Sequence, residues 1–402
     1  MNIWIINQYT GTPTYGMNYR SYYLAKTLMG NGAKVTIFSG SYSHLFTSFP
    51  HTDGMFTYEK IDDVDFYWVK TPKYARSKSI GRVWNMLSFT FKLFFFRTKK
   101  LQKPDVIIIS SLSLFPVINA YFWAKKFNAK LIFEVRDLWP QTLIELGNFS
   151  NSHPLIRFLG FFETFGYKKA DYVVSLLPHA KAYMQTRGML PEKFRYIPNG
   201  IELEEVNMPQ KLNDQIRSQI PENRFIIGYV GTIGIANAME YLIEAANLLK
   251  AHKEIHFVIV GKGGEKVNLQ RKASEYNLHN ITFIDPIPKS QVQSMLKHFD
   301  ICYLGWHAKR IYQYGISANK LFDYMFSKKP ILHSIDIEND PVTIAKCGMT
   351  VPAEDPKAIA EGIIILYRTE DSKLQTMGHN GKKYVLEHHT YKVLAKQYEE
   401  LF

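Results

Sequence analysis

The chain has 402 residues, of which 46% are hydrophobic and 21% are charged, so the composition excludes a disordered protein and the length favours two domains. Two cysteines, Cys302 and Cys347, are too few for a disulfide framework and predict a reducing, cytoplasmic compartment, and the first residues form a strand-like run rather than a secretory leader. The formal net charge of +13 calls for an anionic partner: nucleic acid, an anionic membrane surface or a phosphorylated small molecule.

Short β-rich runs alternate with helical patterns along the chain, which is typical of parallel α/β sheets. The first half predicts a helix over about 17–31 and strands at 3–7, 34–39, 66–69, 106–110, 130–134, 172–175 and 195–197. The first loop contains Gly11 and Gly16, and Arg20 follows in the opening turn of the helix. Glycines let a ligand approach the backbone and helix N-termini attract anions, so the loop favours an anion site; an ordinary tight turn explains the same residues.

Two aspartates early in the chain, in the run Asp63-Val64-Asp65, match the Asp-x-Asp pattern of metal-dependent sugar transferases. They lie between the strand-like segments 56–61 and 66–69, which predict a hairpin with Asp62 and Asp63 in its turn. The histidines show no metal-ligand spacing. The sequence therefore predicts no metal site.

A basic, aromatic segment extends from Lys70 to Lys103 with ten lysines and arginines and no acid. The 14 residues between Arg82 and Arg97 are interrupted by Lys92, and a membrane-spanning helix needs about 20 apolar residues. The segment therefore predicts a patch on an anionic membrane surface; the alternative is a core helix with basic flanks, with residues 94–96 packed inside. The residues assigned to the patch are Lys78, Arg82, Trp84, Phe91, Phe95 and Arg97.

The second half begins a new alternation after a polar stretch at 204–222, with strands predicted at 225–230, 256–260, 281–284, 301–304, 330–333 and 349–351. This order predicts two Rossmann-like, doubly wound domains that face each other across a cleft, with ligands beyond the carboxyl ends of the strands. The predicted domains are residues 1–205 and 206–381, followed by a helix over 382–402 that packs back on the N-terminal domain.

Two glycine-rich strand ends in this half, at Gly231 and Gly261, point to one edge of the sheet. Further on, Ser317 or Asn319 is predicted to cap a helix whose first turn presents Lys320, with Asp323 one turn later. Backbone N–H groups and an ammonium would then meet a diphosphate, and the carboxylate would accept hydrogen bonds from ribose. A capped amphipathic helix with an exposed lysine and aspartate is the alternative.

Four runs together resemble the retaining GT-B glycosyltransferases of family 4, and among them the WbuB-like O-antigen and capsule sugar transferases. They are 133–141 (FEVRDLWPQ), 197–201 (IPNGI), 228–231 (GYVG) and 314–325 (YGISANKLFDYM), and the resemblance extends over nearly the whole chain. It implies a UDP-sugar donor, with an N-acetylated hexosamine as the expected sugar, bound by the C-terminal domain. It also implies an acceptor bound by the N-terminal domain, for which a polyprenyl diphosphate carrier on the inner face of the plasma membrane is expected, and transfer with retention. No cofactor and no metal are expected.

Carried over by residue, the resemblance places Gly16 near the donor phosphates and Lys320 on the diphosphate, and gives Asp323 the place of the second acid of the E-x7-E motif. Arg136 and Asp137 would line the acceptor or sugar side, and with Lys320 they form the predicted catalytic set. The full predicted donor set is Gly11, Gly16, Arg20, Gly231, Thr232, Asn237, Gly261, Ser317, Asn319, Lys320 and Asp323.

The sequence departs from the family pattern at four positions. The first acid of the motif is Gly315, and the family's diphosphate-binding arginine and lysine fall near Thr232 and Asn237, which carry no charge. The usual histidine before Asp137 is Arg136. Lys320 and helix N-termini are therefore expected to bind more of the phosphate charge.

Three other functions are compatible with parts of the sequence. A nucleotide-sugar 2-epimerase of the same fold would convert the donor without an acceptor, and a non-catalytic donor-binding subunit would neither transfer nor hydrolyse it. A nucleic-acid-binding protein would use the positive charge, but it would need base-stacking aromatics on a suitable fold, and the basic residues cluster with membrane-like aromatics instead.

Overall fold

The computed structural model describes residues 1–76 and 79–402, which form two compact units. The first unit comprises Met1–Asn199 and Tyr391–Phe402, and the second comprises Gly200–Thr390. The boundaries predicted at 205/206 and 381/382 both fall inside the second unit. The predicted patch residue Lys78 lies outside the described residues.

Eight strands of the described residues form the sheet of the first unit, in the order β3-β4-β2-β1-β5-β6-β7-β8. Central strands such as β1, β5 and β6 are apolar almost throughout, as expected for parallel strands covered on both faces. The order reverses between β1 and β5, which places a topological switch point at their carboxyl ends. The strands are β1 (Asn2–Ile6), β2 (Lys34–Gly40), β3 (Phe56–Ile61), β4 (Val64–Val69), β5 (Val106–Ser110), β6 (Lys130–Val135), β7 (Tyr172–Ser175) and β8 (Phe194–Tyr196).

The predicted hairpin is present and is the antiparallel part of this sheet. Strand β3 pairs antiparallel with β4, and Asp62 and Asp63 connect them with φ values of 46° and 67°. Aspartate tolerates this left-handed conformation in tight turns. The hydroxyl of Tyr58 donates to Asp65 at 2.7 Å. The Asp-x-Asp run therefore consists of a turn residue, Asp63, and the first two residues of β4.

Helices cover the sheet of the first unit and bring several aromatic side chains to its surface. The helices of this unit before the second unit begins are α1 (Arg20–Gly30), α2 (Ile80–Leu93), α3 (Val117–Phe127), α4 (Gln141–Gly147), α5 (Pro154–Lys169) and α6 (Lys181–Thr186).

The second unit is built on a fully parallel sheet in the order β11-β10-β9-β12-β13-β14. Its order reverses between β9 and β12, so its switch point lies where these two strands end. The strands are β9 (Phe225–Val230), β10 (Ile255–Val260), β11 (Ile281–Ile284), β12 (Ile301–Gly305), β13 (Ile331–Ser334) and β14 (Gly348–Val351). The helices are α7 (Leu203–Asn207), α8 (Asp214–Arg217), α9 (Met239–Leu248), α10 (Lys266–Glu275), α11 (Val292–Leu296), α12 (Asn319–Phe326), α13 (Pro341–Ile344), α14 (Pro356–Tyr367) and α15 (Asp371–His388).

The chain end differs from the single returning helix predicted over 382–402. Helix α15 belongs to the second unit and ends at His388, and the last helix, α16 (Tyr391–Glu399), belongs to the first. Between them the N–H of Ile201 donates to the carbonyl of His389, and Ile201 forms a β-bridge with Thr390. This pairing separates α15 from α16, so the segment that returns to the first unit begins at residue 391.

Candidate functional site

Two glycines that leave no room for side chains lie at the carboxyl edge of the second sheet, and the first of them follows β9 at the switch point. Gly231 follows β9 and Gly261 follows β10, with φ values of 157° and 150°. A Cβ added to Gly261 would lie 1.9 Å from the carbonyl oxygen of Gly231. The two strand ends therefore meet backbone to backbone, which leaves an open edge for a ligand.

The ammonium of Lys320 lies directly above this edge. Its Nζ is 2.6 Å from the hydroxyl of Tyr229 and 2.5 Å from Oδ1 of Asn237, and it lies 4.6 Å from the centroid of the Tyr229 ring. A Cβ on Gly231 would come within 3.3 Å of Nζ. The predicted residues Gly231, Asn237 and Lys320 are thus brought together, although 83 residues separate Asn237 from Lys320.

Two hydrogen bonds fix the groups around this ammonium. The Tyr229 hydroxyl donates to the carbonyl of Thr232 at 2.5 Å, and Nδ2 of Asn237 donates to the same carbonyl at 2.9 Å. These bonds orient the Tyr229 hydroxyl and Asn237 Oδ1 as acceptors toward Lys320. Lys320 therefore supplies a positive charge beside Thr232 and Asn237. These two uncharged residues lie near the positions where the family pattern has a diphosphate-binding arginine and lysine.

The surroundings of Lys320 favour its neutral form. Burial lowers the pKa of Lys320 to about 7, because its neighbours are neutral dipoles and an aromatic ring rather than a carboxylate. An anion placed beside Nζ would restore the charged form. The side chain is therefore suited to a ligand that brings its own negative charge.

The helix that presents Lys320 begins without a side-chain cap. Its N-cap residue is Ala318, so the predicted capping by Ser317 or Asn319 is wrong. Since the side chain of Ala318 cannot accept a hydrogen bond, the first turn of α12 keeps its N–H dipoles and its positive end next to Lys320. An anion can take the place that a cap would fill.

The carboxylate of Asp323 is engaged within the protein. It is buried, and Nζ of Lys289 lies 2.5 Å from each of its oxygens. The carbonyl of Asp323 also accepts from Nε2 of the buried Gln293 at 3.0 Å. The alternative interpretation, an exposed aspartate on this helix face, is therefore wrong, because Lys289, which sequence reasoning missed, neutralises the carboxylate from 34 residues away. A contact between Asp323 and the ribose of the donor stays a prediction.

Arg20 of the first unit is also engaged within the protein. It is 3% exposed, its Nε is 2.8 Å from Glu134, and its Nη2 donates to the carbonyl of Ile197 at 3.0 Å. Its remaining donors reach Pro198, Asn199 and the hydroxyl of Tyr398. A buried ion pair takes up the guanidinium, and a donor contact for Arg20 stays a prediction.

The glycine loop before Arg20 has a structural reason for both of its glycines. A Cβ on Gly11 would lie 1.7 Å from the carbonyl oxygen of Gly16, and Gly16 has a φ of 109°. The N–H of Gly16 donates to the carbonyl of Thr12 at 2.8 Å. The tight turn thus accounts for these residues, and a contact between Gly16 and donor phosphates stays a prediction.

The loop after β6 presents Arg136 and Asp137 at the carboxyl edge of the first sheet. The backbone N–H of Arg136 donates to Ser111 Oγ at 2.9 Å, which attaches the loop to the end of β5. Nη1 of Arg136 is buried without a hydrogen-bond partner among the described residues. Burial lowers the pKa of Arg136, an effect that Glu134 opposes. Asp137 is exposed.

Helix α2 has two apolar faces, and one of them is exposed. Met86, Phe89 and Leu93 are buried, whereas Trp84 and Phe91 on the opposite face are 63% and 64% exposed. Continuing the same stripe, Phe94 and Phe95 are 52% and 56% exposed, and Arg97 beyond them is exposed. Of the residues 94–96 that the alternative interpretation placed inside, Phe96 packs against the rings of Phe38, Phe56, Tyr67 and Trp123.

Arg82 does not belong to the exposed stripe, and its assignment to the membrane and acceptor patch stays a prediction. It lies on the inward face of α2, where its Nε donates to the hydroxyl of Tyr9 at 3.3 Å. Its guanidinium carbon is 5.3 Å from the ring centroid of Tyr9 and 5.9 Å from that of Trp139. Helical periodicity separates positions 82 and 84 by about 200°.

The exposed aromatic surface is larger than the sequence indicates. Phe122 on α3 and Phe158 and Phe161 on α5 are also exposed, and sequence reasoning missed them. Ring contacts connect the helices: Phe94 lies 6.4 Å from Phe122, and Tyr121 lies 5.2 Å from Phe165. We call the exposed residues Trp84, Phe91, Phe94, Phe95, Phe122, Phe158 and Phe161 the aromatic face. Lys125, Lys126 and Arg157 on the same helices are exposed.

Two features are absent from the described residues. No helix within residues 1–76 and 79–402 combines the length and apolarity needed to cross a membrane. Over those same ranges, no cluster of three or more His, Cys, Asp or Glu side chains has the arrangement of a metal site.

Both units match known glycosyltransferase domains. Residues 15–200 match the glycosyl transferase 4-like domain, and residues 210–384 match the glycosyl transferases group 1 domain. Two doubly wound units of these types define a glycosyltransferase with the GT-B fold, which confirms the predicted fold class. The chain belongs to the GT-B glycosyltransferases that join a 4-like domain to a group 1 domain.

Curated relatives are distant in sequence and carry glycosyltransferase names. The chain is 26% identical to WcaI of Escherichia coli, named for colanic acid biosynthesis, over 61% of this chain and 62% of WcaI. It is 23% identical to the glycosyltransferase WbjE of Pseudomonas aeruginosa over 89% of this chain and 87% of WbjE. The matches to WcaI and to MJ1069 of Methanocaldococcus jannaschii span only 62% and 59% of those proteins.

Solved structures share the fold over the full length of the chain. Sucrose-phosphate synthase from Thermosynechococcus elongatus superposes with a TM-score of 0.74 at 16% identity, covering 100% of this chain and 98% of that one. Anabaena HepE in complex with UDP and glucose superposes with a TM-score of 0.66 at 14% identity, covering 100% and 99%. At these identities the likeness concerns the fold.

Proposed function

We propose that the protein transfers a sugar, an N-acetylated hexosamine, from a UDP-sugar to a lipid-linked saccharide with retention, in the biosynthesis of a surface polysaccharide. The observation that carries the proposal is the ammonium of Lys320 above the paired glycines Gly231 and Gly261, next to the uncapped start of α12. The name of WcaI and the UDP bound to HepE support the pathway and the nucleotide.

The proposed chemistry depends on stabilising the departing nucleoside diphosphate. Breaking the sugar–phosphate bond builds negative charge on the phosphate oxygens, and a positioned ammonium with N–H dipoles lowers the energy of that charge. In this proposal Lys320 and the first turn of α12 supply both without a metal. The acceptor hydroxyl attacks the face that the diphosphate leaves, through an oxocarbenium-like transition state, and its proton passes to the departing phosphate oxygen on that face.

A screen of sugar nucleotides tests the donor class directly. A UDP-sugar that binds the folded protein should raise its melting temperature, whereas GDP- and CMP-sugars should not. Product analysis with that donor then separates transfer to a lipid-linked saccharide from 2-epimerisation of the donor alone. If no UDP-sugar binds, or if the donor is epimerised without an acceptor, the proposed function is wrong.

The pKa of Lys320 predicts how donor binding depends on pH. In the empty site the pKa is about 7, so above pH 7 the amine is increasingly neutral and diphosphate binding must be accompanied by proton uptake. UDP affinity should therefore fall between pH 7.5 and 9, by at most about tenfold per pH unit. Calorimetry in buffers of different ionisation enthalpy measures both affinity and proton uptake. Lys320→Met should remove the dependence, and a flat profile for the unaltered protein would contradict the role of Lys320.

The aromatic face of the first unit predicts binding to anionic membranes. Aromatic side chains enter the interfacial region, and the exposed lysines and arginines attract anionic lipid. Trp84→Ser combined with Phe91→Ser should weaken partitioning onto phosphatidylglycerol-containing vesicles roughly tenfold or more. The control is Leu248→Ser, which removes an exposed leucine of the second unit. Equal binding to neutral and anionic vesicles, or unchanged binding by the double variant, would count against a membrane role.

A further inference from the structure

The carboxyl edge of the first sheet contains buried polar atoms that the protein itself does not satisfy. Among the described residues, five such atoms without a partner follow strands of this sheet: Gln8 Oε1, Thr10 Oγ1, Thr71 Oγ1, Ser113 Oγ and Arg136 Nη1. They follow β1, β4, β5 and β6, which lie side by side with β2. Buried polar atoms are nearly always satisfied by protein, water or ligand. They lie along the carboxyl edge on both sides of the switch point between β1 and β5, which is where sheets of this kind bind their ligands.

Two guanidinium groups reach the same edge from different elements. Arg136 extends from the end of β6, and Arg82 reaches inward from α2 between Tyr9, which follows β1, and Trp139, which follows β6. The two aromatic rings fix the plane of the Arg82 guanidinium. Planar guanidinium groups suit phosphate oxygens, which they can bind with two parallel hydrogen bonds.

Helix α2 connects this edge to the aromatic face. Arg82 contacts the sheet edge while Trp84, two residues later, is exposed on the opposite side of the helix. A helix is about 10 Å across with its side chains. If Trp84 lies at the membrane interface, Arg82 lies within roughly one helix diameter of it, which is the region where the head group of an anchored lipid emerges.

We propose that Arg82 and Arg136 bind the diphosphate of a polyprenyl-linked acceptor at the carboxyl edge of the first sheet. The proposal rests on the proposed function, because it assumes a lipid-linked acceptor. It assigns the unsatisfied threonine and serine hydroxyls and Arg136 Nη1 as donors to the diphosphate oxygens, and Gln8 Oε1 as an acceptor from a hydroxyl of the adjoining sugar. Helix α2 then holds the carrier lipid on one face and its diphosphate on the other.

Calorimetric titration with geranyl diphosphate, in the presence of saturating UDP to fill the second unit, tests this site. The unaltered protein should bind geranyl diphosphate more tightly than geraniol and more tightly than inorganic pyrophosphate. Arg82→Met and Arg136→Met should each weaken binding roughly 10- to 100-fold, the usual effect of losing a charge-assisted hydrogen bond. Arg82→Lys, which keeps the charge, should weaken it less than Arg82→Met. The matched control is Arg195→Met, since Arg195 lies 4.9 Å over the ring of Tyr172 on another part of the sheet.

The outcomes separate this inference from the proposed function. Failure of UDP itself to bind would refute the proposed function. With UDP binding intact, equal affinity for geraniol and geranyl diphosphate would refute the diphosphate site, as would unchanged affinity in both methionine variants. Pyrophosphate that binds as tightly as geranyl diphosphate would assign the site to a free anion and overturn the lipid-linked assignment. Unaltered UDP affinity and melting temperature of each variant show that it is folded.

Discussion

Lys320→Met is expected to lower kcat/KM for sugar transfer roughly 100- to 1,000-fold, the usual effect of removing a positioned group that stabilises developing negative charge. Nζ of Lys320 is the positive charge that the structure places above Gly231 and beside Asn237. Steady-state kinetics with the identified UDP-sugar and acceptor measure the effect. Most of the loss should appear in kcat, because the charge that Lys320 stabilises develops in the transition state.

Two further variants make this test specific. Lys297→Met removes an exposed lysine of the same unit and should leave kcat/KM unchanged. Asn237→Lys added to Lys320→Met should recover part of the activity, because the Asn237 side chain already reaches to 2.5 Å from the position of Nζ. Full activity in Lys320→Met alone would mean that diphosphate stabilisation comes from elsewhere.

Arg20→Met is expected to lower the free energy of unfolding by about 3–5 kcal/mol, because it leaves the buried carboxylate of Glu134 without its counter-ion. Glu134 is 2% exposed and also accepts hydrogen bonds from Ser110 and Tyr398. Denaturant unfolding measures the loss. Arg271→Met removes one partner of an exposed ion pair with Glu275 and should change stability by no more than about 0.5 kcal/mol.

The pH dependence of stability provides a second measurement of the same ion pair. Burial would raise the pKa of Glu134, but Arg20, Arg136, Ser110 and Tyr398 outweigh burial and lower it to about 2. The stabilisation is therefore fully present above the ordinary carboxyl pKa of 4.5 and is lost as the pH falls toward 2. Glu134→Gln should remove this dependence. A loss below about 1 kcal/mol in Arg20→Met, together with weaker UDP binding, would contradict the structural role of Arg20 and support the predicted donor contact.

The buried ion pair also explains why the chain end returns to the first unit. Tyr398 of α16 contacts both Arg20 and Glu134, and the ring of Tyr391 lies 5.2 Å from that of Tyr23 on α1. Polar groups buried at this depth need every partner. Helix α16 therefore supplies hydrogen-bond partners to buried groups in the core of the first unit, in addition to covering that core.

The sequence by itself determined the elements and their class. The apolar runs of β1, β5, β9 and β10 and the helical patterns between them predicted two doubly wound units, because period and composition are local properties of the chain. Glycines at strand ends identified the edge where Gly231 and Gly261 meet, and the turn residues Asp62 and Asp63 identified the hairpin. Lys320 was found in the same way, since a lysine in the first turn of a helix is visible in the sequence.

Only the tertiary structure decided which side chains meet. In the sequence, Lys320 and Asp323 are both charged residues on one face of the same predicted helix. In the structure, Lys320 reaches the sheet edge at Gly231, whereas Asp323 pairs with Lys289. Arg20 was assigned to the donor site and Arg82 to the membrane and acceptor patch, and both reach inward. These outcomes depend on helix rotation and strand register between segments far apart in the chain. Ion pairs and hydrogen bonds between such segments contribute a few kcal/mol, but they form only after folding has brought the segments together. A local sequence pattern therefore does not predict them.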